Sequence, residues 1–431
     1  MKKAYIRTIM NYSKAVTYLI THFPQYQKTG MDGYKPYPAR MLSLISWLGN
    51  PQLSYPCIHI AGTNGKGSVA HMMASVLQTA GLRTGLYTSP HLIDFRERIK
   101  VNGQMISEES VTSFVTEFFE NRLPEIGDEK PSFFDMTTAM AFQYFATQKV
   151  DIAIIETGLG GRLDSTNILS SQSVLLSIIT NIGLDHCDIL GQTKEEIAKE
   201  KAGIIKSGIP VVLGEYDAAS FPIIKKQAFQ LGSKWIGAYE STCKEYSLEN
   251  NNLYQKRNAN TALSALWVLK ETYPDRFASI TQQSITEGLL YYQTRTGLRG
   301  RWERVCENPA VILDTGHNAD GLSYLKEQLS VEKYEHLFVV YGIVREKALF
   351  PMANLLPRDA TYFFTQPSID RALPATALRD WAVKQGFIGK TIPDVRAAYL
   401  EALSSAGAKD LILVTGSTFT VADAIANFFC T

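Results

Sequence analysis

Apolar residues along the chain form two kinds of pattern that follow one another. Residues 57–61, 151–155 and 173–182 are short, nearly continuous apolar runs, as expected of parallel strands buried on both faces. Residues 69–80 contain few strand formers and residues 131–150 are crowded with Phe and Met, so both segments are predicted to be helices. This alternation predicts an α/β fold built on an open, mostly parallel sheet.

The last third of the chain repeats the alternation on a smaller scale and predicts a second, Rossmann-like sheet. Its strand-like runs are residues 311–314, 336–341, 361–365 and 411–414. The preceding stretch 293–301 (QTRTGLRGR) is basic, contains glycines and is expected to be irregular, so we place a linker there between domains 1–297 and 298–431. Its glycines could absorb the rotation of a hinge, and we expect the domains to close on each other in catalysis.

Length, charge and cysteine content limit the classes of partner. A chain of 431 residues exceeds what one hydrophobic core usually serves. Lys and Arg number 43 against 42 Asp and Glu, so no global field attracts nucleic acid or an acidic membrane surface. The five cysteines are scattered, which fits a reducing cytoplasm, and no stretch approaches the length of a membrane span. We expect a cytoplasmic monomer that acts on small molecules, without nucleic-acid or membrane partners.

A glycine-rich turn, residues 62–68 (GTNGKGS), joins the first predicted strand to the first predicted helix. Such a turn aims backbone N–H groups and a helix N-terminus at one spot, which suits a phosphate. The lysine would add a full charge and the serine a hydroxyl for magnesium. An ordinary turn would account for the glycines but not for a lysine among them. The sequence therefore predicts nucleotide binding by Gly62, Thr63, Asn64, Gly65, Lys66, Gly67 and Ser68.

The turn departs from the general phosphate-loop pattern. Ile60 stands where that pattern has its first glycine, and Gly67 stands where it has Ser or Thr. Nearby, the strand 151–155 delivers Glu156, a carboxylate of the kind that binds Mg²⁺ beside phosphates. The alternative is an acid at a strand end that only meets solvent.

The variant loop resembles that of the folylpolyglutamate synthase and dihydrofolate synthase family, relatives of the Mur amide ligases. Further segments resemble motifs of the family in the same order, from Arg40-Met41 through Ser89-Pro90-His91, residues 157–167, Asp185-His186, residues 255–259, 300–303 and 314–318 to Gly416-Ser417. The resemblance implies a Mur-type architecture: a parallel-sheet ATPase domain with the phosphate loop, plus a smaller Rossmann-like domain. It also implies an ATP-dependent ligase that joins L-glutamate to a dihydropteroate or folate carboxylate through an acyl phosphate, releasing ADP and phosphate.

The resemblance assigns roles residue by residue. Magnesium, expected as two ions, would be bound by Ser89, Glu156 and His186, and ATP by the loop with Asn258, Arg301 and Asp314. Lys66 and His317 would be catalytic. The substrates would be bound by Arg40, His91, Lys201, His317 and Ser417.

Several of these residues have simpler alternative roles. Arg40 could form a salt bridge at a helix start, Asn258 could be a helix cap, and His186 could be structural. Lys201 stands where relatives carry a carbamylated lysine, but it could instead be a solvated helix lysine or a partner of a glutamate on its own helix. The segment around Asp135 resembles a family stretch that has glutamate there, which puts any polar contact at that position in question.

Two other functions stay open at this point. One is a Mur-like ligase that acts on a cell-wall nucleotide precursor. The other is a nucleotide-switched binding protein, which the phosphate loop alone would support. ATP turnover that depends strictly on two small substrates would reject the switch.

Overall fold

A computed structural model describes residues 10–24, 38–122, 131–240, 246–249, 252–345 and 352–429. The chain divides into two compact units. The first comprises Met1–Glu249 with Gln255–Gly297, and the second Asn250–Tyr254 with Leu298–Thr431. The short segment 250–254, which was expected in the first domain, thus belongs to the second unit. Across the described ranges, no helix is both long enough and apolar enough to cross a membrane.

The first unit is built on an eight-stranded sheet in which the strand before the phosphate loop is central. Its order is β4-β3-β2-β5-β1-β6-β7-β8. The six strands β2, β5, β1, β6, β7 and β8 are all parallel to their neighbours in this order. Strand β3 pairs antiparallel with β2, and β4 pairs antiparallel with β3 and forms one edge of the sheet. The strands are β1 (Cys57–Ala61), β2 (Thr84–Tyr87), β3 (Ile99–Val101), β4 (Gln104–Met105), β5 (Ile152–Glu156), β6 (Val174–Ile179), β7 (Val211–Leu213) and β8 (Trp235–Gly237).

The register of the central strands sets where the loops emerge. Ile60 of β1 lies opposite Glu156 of β5, and Ala61 lies opposite Ile179 of β6. Because these strands are parallel, the segments after all three leave the same edge of the sheet, where ligands bind in open α/β sheets. All residues of β1 and β5 are buried, as the continuous apolar pattern predicts.

Helices cover the sheet and carry most of the aromatic core. One apolar cluster joins β2 and β5 to α1, α2, α4 and α5, and another joins β6 and β7 to α7 and α8. The helix after the phosphate loop, α3, is buried at every residue from 68 to 77. The described helices are α1 (Tyr12–His22), α2 (Pro38–Trp47), α3 (Lys66–Thr79), α4 (Glu108–Glu117), α5 (Phe133–Thr147), α6 (Cys187–Leu190), α7 (Lys194–Ala202), α8 (Phe221–Gln230), α9 (Leu253–Thr272), α10 (Gln282–Leu290) and α11 (Tyr292–Thr296).

The second unit has a six-stranded sheet with the order β13-β12-β11-β14-β10-β9, parallel except for β9. The α/β fold with a second, Rossmann-like sheet is therefore confirmed. Strands β9 and β13 were not predicted from the sequence, because they are edge strands in which apolar and polar residues are mixed and partly exposed. The elements are β9 (Glu303–Glu307), β10 (Ala310–Leu313), α12 (Ala319–Leu329), β11 (Leu337–Tyr341), β12 (Thr361–Gln366), α13 (Ala375–Lys384), β13 (Ile388–Asp394), α14 (Val395–Ser405), β14 (Leu411–Thr415) and α15 (Thr418–Ala424).

Part of the segment expected to be an irregular linker is helical, so that prediction was wrong there. Helix α11 continues to Thr296 and ends at Gly297, whose φ of 67° is the left-handed conformation common after helices. The Nζ atom of Lys100 donates a hydrogen bond to the Thr296 carbonyl at 2.7 Å, and the Thr296 hydroxyl lies 2.7 Å from Nδ1 of His71. The last turn of the first unit is therefore anchored to β3 and α3.

Candidate functional site

The phosphate loop requires glycine at two positions for steric reasons. A Cβ atom on Gly62 would lie 1.8 Å from Oγ1 of Thr180, at the end of β6. Gly65 precedes α3 with a φ of 81°, and a Cβ atom there would lie 2.3 Å from Oδ1 of Asn258. The turn is thus packed between the end of a neighbouring strand and a side chain of α9.

Hydrogen bonds fix the backbone of Thr63 and Asn64 in the first half of the loop. The second half leads into the start of α3. The N–H groups of Thr63 and Asn64 donate to the backbone carbonyl and side-chain Oδ1 of Asn181, at 3.0 and 2.8 Å. The carbonyl of Asn64 accepts from the Thr180 hydroxyl at 2.6 Å. The first N–H groups of a helix have no partner within it, so those that open α3 at Lys66 form an anion-binding terminus.

Two lysines converge on one carbonyl of this loop. Lys66 donates from Nζ to the carbonyls of Gly62 and Thr63, at 3.1 and 3.2 Å. Lys201 is buried and donates from Nζ to the same Gly62 carbonyl at 2.7 Å. Burial and the charge of Lys66 hold the pKa of Lys201 well below its usual value, although Asp185 and Asp164 oppose this shift. Lys201 is therefore not a solvated helix lysine, and its hydrogen bond goes to the loop.

Glu156 is brought to the loop and to the segment that carries Ser89. Its side chain is only 3% exposed, so it is not an acid that merely meets solvent. Oε2 accepts a hydrogen bond from the backbone N–H of Ser89 at 3.1 Å. A Cβ atom on Gly67, in the first turn of α3, would lie 3.6 Å from the same oxygen. Three segments far apart in sequence therefore meet around one carboxylate.

His186 lies on a loop that is tied to the phosphate loop. The N–H of Gly183 donates to the hydroxyl of Thr63 at 2.9 Å. His186 has a φ of 52° and its N–H donates to Oδ1 of Asp185 at 2.9 Å. Among the residues that the structure describes, no three His, Cys, Asp or Glu side chains are grouped as a complete metal site. A metal here would therefore need further ligands in addition to such side chains.

Helix α9 contributes a contact that the sequence did not reveal. The helix begins at Leu253, so Asn258 lies inside it and is not its cap. Asn258 donates from Nδ2 to Oε1 of Gln255 at 2.8 Å, and Gln255 donates from Nε2 to the buried Ser68 hydroxyl at 3.2 Å. Gln255 therefore links the residue beside Gly65 to the serine of the phosphate loop.

The glycine turn after β5 is organised by Asp164. Its carboxylate is buried and accepts the N–H groups of Gly158 and Leu159, both at 2.9 Å. It also accepts the N–H of Thr166 at 3.0 Å. Burial raises the pKa of Asp164, and these hydrogen bonds oppose that shift. The sequence showed the motif but not that this aspartate shapes the turn.

The polar contact questioned at Asp135 is present. Asp135 forms a reciprocal capping box with Ser132 at the start of α5. Its Oδ1 atom also accepts a hydrogen bond from the hydroxyl of Ser165 at 2.6 Å. The shorter side chain therefore still connects α5 to the segment that follows the glycine turn.

Two predicted substrate residues lie on different elements of the first unit. His91 follows β2, and its Nδ1 accepts a hydrogen bond from Nε of Arg98 at 2.7 Å. Arg40 is in the first turn of α2 and is partly buried. The hydrogen bond from Arg98 fixes the ring of His91.

In the second unit, Asp314 lies directly after β10 and orders the segment that follows. Its Oδ2 accepts the Tyr254 hydroxyl at 2.7 Å and the Trp302 N–H at 2.9 Å, and Oδ1 accepts the Gly316 N–H at 2.8 Å. Burial raises the pKa of this carboxyl, whereas the Tyr254 hydrogen bond and the charge of Arg301 lower it. Tyr254 is a second residue whose role the sequence did not reveal.

The remaining predicted residues of the second unit lie at neighbouring strand ends. Nδ1 of His317 is 2.9 Å from the carbonyl of Thr315, and because a carbonyl oxygen only accepts, Nδ1 is the donor of this hydrogen bond. Ser417 follows β14, the parallel neighbour of β10, and its hydroxyl accepts the N–H of Thr420 at 3.0 Å as the cap of α15. His317 and Ser417 are therefore at the same edge of the second sheet.

Known proteins resemble this chain over most of its length. The family model for the Mur ligase middle domain matches residues 60–264, and that for the Mur ligase glutamate ligase domain matches residues 300–418. The dihydrofolate synthase/folylpolyglutamate synthase of Bacillus subtilis (strain 168) is 36% identical, covering 91% of this chain and 94% of the relative.

Solved structures give the same result over nearly the whole chain. Escherichia coli FolC in complex with DHPP and ADP has a TM-score of 0.81 at 27% identity, covering 97% of this chain and 98% of that one. The bifunctional folylpolyglutamate synthase/dihydrofolate synthase of Yersinia pestis, complexed with AMPPNP and Mn, has a TM-score of 0.82 at 27% identity, covering 98% and 99%. The fold and its edge loops therefore define a Mur-type ligase. The chain belongs to the dihydrofolate synthase/folylpolyglutamate synthase family, as its motifs predicted.

Substitution of Gly65 by alanine tests the packing of the phosphate loop. Gly65→Ala is expected to weaken ADP binding by about tenfold or more, because the new methyl group must displace Asn258. Gly81→Ala is the matched control, since Gly81 has a similar φ of 85° but nothing within 4 Å of the added methyl group. Both variants should lose about 1–2 kcal/mol of stability from backbone strain. Calorimetric titration with ADP that shows equal affinity for both variants would contradict this account.

Proposed function

We propose that this protein is an ATP-dependent ligase that joins L-glutamate to the carboxylate of dihydropteroate or a reduced folate, with release of ADP and phosphate. The observation that carries the proposal is the assembly of an anion-binding loop, a buried carboxylate and two lysines at one edge of the first sheet. Family membership supports the folate reading over a cell-wall ligase. The second unit has its own edge residues in Asp314, His317 and Ser417, which a simple nucleotide switch would not need.

The reaction needs ATP because a carboxylate does not react usefully with an amine at neutral pH. Transfer of the terminal phosphoryl group to the substrate carboxylate would give an acyl phosphate, and the glutamate amine would then displace phosphate through a tetrahedral intermediate. Lys66, Arg301 and the N-terminus of α3 would stabilise charge on the transferred group. Asn258 and Asp314 complete the proposed nucleotide contacts. His317 is proposed to contact both the nucleotide and glutamate.

The oxygen atoms of Glu156 and of neighbouring residues are suitable ligands for a magnesium ion bound to the nucleotide. Mg²⁺ takes oxygen ligands and usually combines one or two carboxylates with phosphates and water, so a complete protein cage is not required. Ser89 and Glu156 would hold one ion and His186 a second. The bound ions would neutralise phosphate charge.

Lys201 is proposed to carry a carbamate. Carbon dioxide reacts with a neutral amine, and the lowered pKa of this buried lysine favours that form. The product would place an anion beside Lys66, near the proposed second metal at His186. Lys66 would then face an opposite charge instead of a second lysine amine that shares the Gly62 carbonyl.

The remaining assignments complete the proposal. Arg40 and His91 would contact the folate or pterin substrate, and Ser417 the glutamate pocket. We propose catalytic closure of two domains near 1–297 and 298–431, with residues 250–254 assigned to the second. The protein would act as a cytoplasmic monomer without nucleic-acid partners, which size-exclusion chromatography with light scattering and cell fractionation would check.

The proposed reaction is tested by measuring ADP formation with dihydropteroate and tetrahydrofolate offered separately. ADP should form only when glutamate and one of these substrates are both present. Lys66→Ala should lower kcat by about 10²–10³ because the loop loses its full charge. Lys226→Ala, on an exposed position of α8, is the control and should keep full activity. Near-normal turnover by folded Lys66→Ala would reject the ATP assignment.

Magnesium titrations test the proposed metal ligands. Glu156→Gln and His186→Ala should raise the magnesium concentration needed for half-maximal activity by about tenfold or more, because each loses a ligand. Glu195→Gln, at an exposed position of α7, provides the control. An unchanged magnesium requirement in both site variants would make the two residues structural.

Removal of carbon dioxide tests the carbamate. Wild-type activity should fall in buffer freed of carbon dioxide and return with bicarbonate. Lys201→Arg keeps a positive charge but cannot be carbamylated, so it should be weakly active and indifferent to bicarbonate. Wild-type activity that is the same with and without bicarbonate would contradict the modification.

A further inference from the structure

The loop of residues 88–94 is fastened by the turn Phe95–Arg98 that follows it. The carboxylate of Glu97 accepts hydrogen bonds from three consecutive backbone N–H groups of the loop, at 2.7 to 2.8 Å. At the other end of the loop, the N–H of Thr88 donates to the carbonyl of Arg98 at 3.0 Å. The backbone that carries the His91 ring is therefore held independently of the ring itself.

Arg98 determines which nitrogen of His91 carries a proton. The arginine side chain is 1% exposed, and its Nε atom donates to Nδ1 of His91 at 2.7 Å. A guanidinium has donors only, so Nδ1 must be the acceptor and the proton of the neutral ring must be on Nε2. The ring of Phe95 lies edge-on to the imidazole with centroids 6.2 Å apart, and the guanidinium lies over Phe133 at 5.2 Å. These contacts also fix the plane of the ring.

The contact with Arg98 leaves the ring without a free lone pair. Nδ1 accepts from the guanidinium and Nε2 carries the proton, so both ring nitrogens are committed. His91 is therefore unsuited to remove a proton from the incoming amine.

We propose that His91 is a fixed hydrogen-bond donor, held in the Nε2–H tautomer by Arg98, and that it recognises a carbonyl or carboxylate oxygen of the substrate that receives glutamate. Arg98 is then a positioning residue, because it acts through His91. Only the identity of the substrate rests on the proposed function. The tautomer is a property of the chain alone.

Histidine nitrogen NMR of the full-length, ligand-free protein tests the tautomer directly. Spectra at neutral pH should show His91 with a bare Nδ1 and a protonated Nε2. The signals are assigned by their loss in His91→Asn. In Arg98→Met the two tautomers should mix. A proton on Nδ1 in the wild type, or an unchanged tautomer in Arg98→Met, would overturn the inference.

Two substitutions of His91 test recognition of the substrate. Asparagine places an oxygen near the position of Nδ1, so it can still accept a hydrogen bond from Arg98. It has no group at the position of Nε2 and therefore lacks the donor that is proposed to contact the substrate. Glutamine places an amide nitrogen near the position of Nε2. His91→Asn should raise the KM for dihydropteroate about three- to tenfold, the value of one hydrogen bond, with a smaller change in kcat. His91→Gln should be closer to the wild type.

The two hypotheses fail in different ways. A wild-type enzyme that forms ADP with glutamate, together with an unchanged KM in His91→Asn, would overturn the role of His91. A wild-type protein that forms no glutamate-dependent ADP would overturn the proposed function, while the NMR spectra would still report the tautomer.

Discussion

The packing of the phosphate loop between β6 and α9 is the constraint on which the rest of the site depends. The places where side chains would stand at Gly62 and Gly65 are taken by Thr180 and Asn258, so the backbone follows one path. That path tethers the first loop amides to Asn181 and points the start of α3 outward. The Gly62 carbonyl then turns towards Lys66 and Lys201. One steric condition thus positions both the anion-binding amides and the lysines.

Buried polar groups around the loop are costly unless they are bonded, and here each supports a neighbouring segment. Asp164 is compensated by backbone and hydroxyl donors and shapes the turn after β5. Glu156 holds the backbone of Ser89, and Arg98 holds the ring of His91. In the proposed reaction this arrangement would fix the metal-binding and substrate-binding groups before substrates bind, which is how preorganised sites gain catalytic power. Lys201 differs, because its amine donates to a neutral carbonyl beside a second lysine, and a carbamate would place a negative charge next to that lysine.

The sequence predicted those parts that depend on local pattern. The central strands were predictable because both faces are buried, and the loop because a lysine among glycines is typical of a phosphate site. The edge strands β9 and β13 were missed because exposure mixes their pattern. Gln255 was missed because its partner Ser68 is 187 residues away, a proximity that only the fold creates. Arg98 was missed because it serves another residue rather than a ligand.

If ATP activates the substrate carboxylate, an oxygen atom of that carboxylate must leave with phosphate, and isotope labelling measures this transfer. The substrate carboxylate is labelled with ¹⁸O, and the phosphate released during glutamate addition is analysed by mass spectrometry. An acyl phosphate requires one labelled oxygen to leave with phosphate, so one ¹⁸O atom is expected in each phosphate formed. Phosphate that carries no label while the glutamate amide forms would contradict it.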